Sequence, residues 1–330
     1  MLKKQIVIFS IFATLLDGCA IHPLSENTTG LKTYLIVERV RCEARDAIFN
    51  MALGYLSTNY QDRQDILDLV DNFKNNTSND WPKKRLTSKL FSGGLHDVFA
   101  KYEKAAIAYN FSLEMQEINN LDASLDFGKV YKSVTGGLGF GAGLDRTRDN
   151  IRTFTITDTF GGLLTEVKED YCTNAKPYQE PNYIYPIAGS VGLREIIENF
   201  INLTEFTHLT AGDASRPAGP PTVVDTLTFT TKVSGSAKPS VTIASLPGAE
   251  WRLADASITG AVSRQDTHKL IVGLSLPAPA KPAANAPTTS AAGLIDVKAD
   301  ATATEQQAAH AIEQYIIRFE IGRANIVVSP

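Results

Sequence analysis

The chain has 330 residues, 43% hydrophobic and 21% charged, with a formal net charge of −4. These values fit a folded protein with a sizeable core and exclude collagen-like and wholly disordered classes. The weakly acidic balance, in which the longest basic cluster is Lys83-Lys84-Arg85 on a solvated face, excludes nucleic acid as a partner.

The chain opens with a basic pair, Lys3-Lys4, and an apolar run from Gln5 to Leu16. A run of about twelve residues is too short to span a bilayer comfortably. Leu16-Asp17-Gly18-Cys19 then places a small residue immediately before a cysteine. The pattern resembles the lipobox of bacterial lipoproteins, and Asp17 departs from the small or hydroxyl residue usual there. The resemblance implies cleavage after residue 18, acylation (palmitate) of Cys19, and, with Ala20 next, an anchor in the outer membrane of a Gram-negative cell. The protein would face the periplasm or the cell surface. Residues 1–18 are then a signal peptide and 19–30 a polar, lipidated tether. No later segment approaches about 18 consecutive apolar residues, so no second membrane helix is expected.

With Cys19 acylated, Cys42 and Cys172 remain. An even pair in an oxidising compartment reads as one disulfide, with two buried thiols as the alternative.

Residues 31–165 form a helical segment followed by a first β-meander. Tyr34, Val37, Val40, Ala44, Ile48, Met51 and Tyr55 recur at helical spacing. A second amphipathic helix follows Asp62, and residues 84–101 are helical in part, interrupted at Gly93-Gly94. From Ile107 to Met115 apolar and polar residues alternate, the signature of a half-buried strand. Asn119-Asn120 signals a turn, and strands follow around Ala123–Phe127, Gly136–Arg148 and Asn150–Phe160. Gly137, Gly139, Gly141 and Gly143 alternate with Leu138, Phe140, Ala142 and Leu144. Period two puts the glycines on one strand face and excludes a dinucleotide loop, which needs G-x-G-x-x-G opening a helix.

Residues 166–276 repeat this plan. A helix spans Val191–Phe206 with Ser190 at its start. A Pro/Gly-rich connector, 211–221, leads to strand patterns around Leu227–Val233, Pro239–Leu246, Trp251–Arg264 and Thr267–Leu276. Residues 277–304 are an Ala/Pro-rich linker. Residues 305–330 form a helix and a final strand docking back on the body. The expected fold is α+β: an antiparallel sheet built from two duplicated helix plus four-stranded meander units, with helices packed on it. A β-sandwich with peripheral helices is the alternative. A transmembrane barrel is disfavoured, because helices occupy much of the chain, strand faces are not uniformly apolar, and a lipid anchor would make it redundant.

No zinc spacing, HExxH or G-x-S-x-G motif occurs, so no catalytic residue, metal or cofactor is expected. The densest polar feature is a repeated strand junction: Arg146, Arg148 and Asp149, matched by Arg264, Asp266 and His268. It reads as an exposed turn with cross-strand ion pairs or as an interaction patch. The expected function is that of a lipid-anchored, non-enzymatic envelope protein. It would bind another envelope protein or a glycan in assembly, transport or adhesion. A self-assembling pore or secretion component, and a hydrolase with a dispersed site, are the alternatives.

Overall fold

A computed structural model describes residues 32–75, 86–131, 134–175, 187, 189–207, 209, 220–237, 240–241, 252–278 and 295–321. The signal peptide, Cys19 and its tether, most of the 211–221 connector, most of the 277–304 linker and the tail beyond 321 lie outside the described residues.

Three helices come first: α1 (Thr33–Asn59), α2 (Gln64–Asn75) and α3 (Gly93–Glu103). Two strands follow, β1 (Ala106–Tyr131) and β2 (Val134–Thr159), then short helices α4 (Phe160–Glu166) and α5 (Glu169–Ala175). Helix α6 (Leu193–Phe206) precedes β3 (Thr222–Ala237), β4 (Ser240–Val241) and β5 (Arg252–Ser275). Helix α7 (Ala303–Tyr315) runs into a π-helical stretch, Ile316–Ile321. The fold is α+β with one antiparallel sheet in the order β2-β1-β5-β3, and β4 pairs with β5.

The strands differ from the expected meanders. Asn119-Asn120 lies inside β1, and Arg148-Asp149 lies inside β2. β1 has neighbours on both sides, so its ladder continues through residues that would turn in isolation. The two patterns from Trp251 to Leu276 likewise merge into β5. Among the described residues the first four expected strands become β1 and β2, and the second four become β3, β4 and β5, all in one sheet and not a sandwich; apart from β4, the expected strand Pro239–Leu246 lies outside the described residues. Residues 318–321 are helical, where a strand was expected.

The chain divides into two units. One comprises Thr29–Leu113, Arg152–Thr231 and Thr267–Pro330 and carries every described helix. Its core is built around α1, which packs against α2, α4, α5 and α6. Leu35, Ile36, Val40, Ala44, Ile48, Leu53 and Leu56 of α1 are buried, whereas Tyr34 and Tyr55 of the expected stripe are exposed. The helix is covered on more than one side, so a single stripe could not describe it. Within this unit Phe111 stacks on Phe154 at 5.0 Å, and Asn110 donates to Thr155 Oγ1 at 2.9 Å.

Cys42 of α1 and Cys172 of α5 form a disulfide, Cα–Cα 5.5 Å, across 130 positions. Beside it, buried Arg45 donates to the Val167 carbonyl (3.1 Å) and pairs with Glu169 (3.0 Å). Arg41 grips Asp158 of β2 with two N–H donors, at 2.8 and 2.6 Å. Burial raises the Asp158 carboxyl above its ordinary range, and the Arg41 charge offsets only part of that.

The expected start of α6 at Ser190 is replaced by a tertiary cap. Gly192, at φ 88°, occupies the N-cap position and offers no side chain. The Glu43 carboxylate of α1 instead accepts from Val191, Gly192 and Leu193 backbone N–H at 2.9, 2.7 and 2.9 Å. Ser190 Oγ donates to the same carboxylate at 3.2 Å. A carboxylate at a helix N-terminus satisfies open donors and complements the dipole. Glu43→Ala should therefore destabilise the protein by about 1.5–3 kcal/mol, against about 1 kcal/mol for Ser190→Ala. Chemical denaturation of both variants checks the order.

Helix α7 docks on the same unit through Ala308, Ala309 and Ile312, which cluster with Ala106, Ala108 and Ile271. The approach depends on Gly273, where a Cβ would sit 2.5 Å from the Ala308 carbonyl oxygen and 2.8 Å from Ile312 Cγ1. Neither β5 nor the helix backbone can yield that space locally. Gly273→Ala should cost about 1–3 kcal/mol, read as a lower melting temperature. Thr302 and Glu305 form a capping box at the start of α7, and Lys298 pairs with Glu305 at 2.8 Å.

Candidate functional site

The second unit contains Glu114–Ile151 and Lys232–Asp266, which are strand residues throughout their described length. Its side chains differ sharply from those of the helix-bearing unit. Among those of its residues whose side chains are described (114–124, 139–151, 232–237, 257, 259–266), Met115 and Asp266 are buried and the rest are half-buried or exposed. A sheet ordinarily buries at least one face against another layer. No described helix or second sheet belongs to this unit.

Three contacts define its two faces. Ser124 Oγ lies 2.7 Å from Ser257 Oγ across β1 and β5. A Cβ on Gly143 would meet the Asp122 carboxylate at 2.8 Å, across β2 and β1. A Cβ on Gly260 would meet Leu121 Cδ1 at 3.9 Å. Side chains alternate along each strand. One face therefore carries Asp122, Ser124, Ser257, Thr259, Ser263, Asp145 and the glycines 139, 141 and 143. The other carries Leu121, Ala123, Phe140, Ala142, Leu144, Gly260 and Val262. On that apolar face Phe140 is 60% exposed and Val262 54%.

The apolar face has a polar border. Counting along the register set by these contacts places Glu117 of β1 between Arg148 of β2 and Arg264 of β5. Asn119 lies opposite Arg146, and its side-chain amide donates to Glu117 Oε1 at 2.8 Å. Between this border and the far ends of β1, β2 and β5 lie Leu121–Tyr131, Val134–Leu144 and Arg252–Val262, eleven residues in each of these three strands, whereas β3 ends at Ala237. A tilted strand needs about 9–11 residues to cross the hydrocarbon of a membrane. The β2 stretch carries no charged residue at all.

The expected patch of Arg146, Arg148, Asp149, Arg264, Asp266 and His268 is not one exposed surface. β1 intervenes between β2 and β5, separating the two halves by about 10 Å, twice the strand spacing. Arg146 and Arg148 share the apolar face, while Asp149 lies on the glycine face. Arg264 is occupied by Asp266 through two N–H donors at 2.7 and 3.0 Å. Asp266 and His268 are each 1% exposed, too buried to contact a partner. Sequence reasoning missed Glu117, whose charge interrupts the apolar positions of β1, and Glu43, whose role depends on a distant helix.

Among the described residues no group of His, Cys, Asp and Glu could hold a metal ion, and no helix is long and apolar enough to cross a membrane. The latter says nothing of strands.

Fold and faces together define an α+β protein with one helix-bearing unit and one unit of two-faced strands. A family model for "Uncharacterised protein y4kA" matches residues 22–328, so the chain belongs to the y4kA family. A relative from Sinorhizobium fredii, the uncharacterized protein y4kA, is 34% identical over 278 residues, covering 83% of each chain. Among solved structures, the Salmonella SPI-1 type III secretion injectisome secretin InvG (residues 176-end, open gate state) overlaps at 7% identity and a TM-score of 0.15. That overlap spans 54% of this chain and 62% of the secretin chain, under two thirds of its length, and such a score defines no shared fold.

Proposed function

We propose that the chain is a non-enzymatic, lipid-anchored protein of the Gram-negative envelope whose two-faced sheet enters a bilayer. The lipobox-like Leu16–Cys19 supports the anchor and the outer-membrane location. One observation carries the insertion: a sheet segment with an apolar face bearing exposed Leu121, Phe140, Leu144 and Val262, and a glycine and hydroxyl face opposite. Water is a poor partner for exposed Leu121, Phe140, Leu144 and Val262 in adjacent rows. Lipid tails suit that face, and water suits the other, the division seen in membrane strands. Arg146 and Arg148 then border the apolar rows where anionic headgroups would lie.

This reading departs from the sequence argument against membrane strands. Averaged over whole strands, the faces look mixed, because residues such as Tyr109 and Leu270 face a protein core. The two-faced pattern emerges only within the strand segments of the second unit, Glu114–Ile151 and Lys232–Asp266.

Two measurements test the two halves separately. Incorporation of labelled palmitate should vanish in Cys19→Ala, and persistent labelling would overturn the anchor. The chain starting at Ala20, exported behind an ordinary cleavable leader, should float with phosphatidylethanolamine/phosphatidylglycerol vesicles. Its remaining at the bottom of the gradient would overturn insertion of the sheet.

A further inference from the structure

We infer that copies of this chain join edge to edge, β3 of one to β2 of the next, closing a barrel whose glycine face lines an aqueous pore. The inference rests on the membrane reading and names the partner that reading requires. Hydrocarbon offers no hydrogen bonds, so strands within it must pair on both sides. In the order β2-β1-β5-β3, β2 is one outer strand and β3 the other, with β4 pairing β5 beyond the end of β3. Four strands are too few to close, since the smallest membrane barrels have about eight. At least two copies are therefore needed.

The chain already contains one example of the required joint. The chain supplies two hairpins, β1–β2 and then β3–β5, the second carrying β4 against β5. Inside the sheet, the first strand of one hairpin, β1, pairs with the second strand of the other, β5. Continuing the same rule pairs the first strand of the second hairpin, β3, with the second strand of a new first hairpin, β2. Strand directions agree: in an antiparallel sheet of four, β3 runs opposite to β2, so the new pair is antiparallel too. Head-to-tail contacts of this kind generate rings when the rotation between copies closes, as the curl of a membrane barrel requires.

The glycine face is fit for a lumen. Gly139, Gly141 and Gly143 remove bulk from β2, and Ser124, Ser257 and Ser263 offer hydroxyls to water. Its carboxylates, Asp122, Asp145 and Asp149, favour cations over anions.

The test uses the lipidated full-length chain, extracted in detergent with its disulfide intact. Light scattering should give the mass of two or more copies. Reconstitution into planar bilayers should give conductance steps with a preference for K⁺ over Cl⁻. Asp122→Lys should move the reversal potential toward Cl⁻ while leaving flotation with vesicles unchanged. Flotation with single-copy mass and no conductance would overturn the ring and leave the membrane reading standing. Failure to float would overturn the membrane reading itself. A reversal potential indifferent to Asp122→Lys would overturn the assignment of the glycine face to the lumen.

Discussion

Phe140→Arg should lower binding of the protein to lipid vesicles by about 30-fold to 1,000-fold, while Gly141→Arg, one residue on, should change it by less than about tenfold. Phe140 lies near the middle of Val134–Leu144 on the apolar face and is 60% exposed. An arginine on the lipid face costs about 2–4 kcal/mol at mid-depth, and each 1.4 kcal/mol is a factor of ten. Gly141 points to the opposite face, where a Cβ would find nothing nearer than the Ala123 carbonyl oxygen at 4.0 Å. The two variants add the same charge to the same strand. Only the face differs, so general loss of charge balance or of strand propensity would affect both alike. Quantitative flotation measures the contrast, and equal losses would argue that Phe140 does not meet lipid.

Reduction of the Cys42–Cys172 bond has the second large effect, on stability. The bond closes a loop of 130 positions between α1 and α5. In the chain-entropy account a loop of that length contributes about 4–5 kcal/mol, chiefly by restricting the unfolded chain. That is a large part of the 5–15 kcal/mol typical of a folded protein. The surrounding contacts are not expected to replace it. Arg45 ties α1 to Val167 and Glu169, but those hydrogen bonds form only once the segment is already in place. A Cys42→Ser/Cys172→Ser variant should unfold at a much lower denaturant concentration than the oxidised protein. A midpoint shift corresponding to less than about 1 kcal/mol would mean that the loop is constrained by other means.

The helices and the alternation of the strands were legible because both arise from local periodicity. Helix α6 was expected over 191–206 and runs from Leu193 to Phe206. The cysteine pairing was legible by elimination, because the expected lipid on Cys19 set one of three thiols aside. Strand ends were not legible. Asn119-Asn120 has turn chemistry, but the neighbouring strands β2 and β5 supply partners that keep β1 straight. Helices α4 and α5 went unread because seven residues each give too little periodicity.

The polar junction was found but misread. Spacing alone showed that Arg146, Arg148, Arg264 and Asp266 recur at matching places. It could not show that β1 separates them, or that Asp266 is buried against Arg264. The glycine run was read correctly as one strand face. What that face does depends on its reverse side, and this becomes clear only when Gly143 is found over Asp122 and Gly260 beside Leu121.

A residue-by-residue quenching scan tests the central claim most directly. Cys42 and Cys172 are bonded and Cys19 carries lipid in this account, so one introduced cysteine at a time can be labelled with an environment-sensitive fluorophore. Positions 139 to 144 should alternate in the presence of vesicles. Labels at 140, 142 and 144 should be quenched by nitroxides on lipid chains, and labels at 139, 141 and 143 by aqueous iodide. Uniform quenching by iodide at all six positions, with none by the lipid nitroxides, would contradict insertion of the sheet.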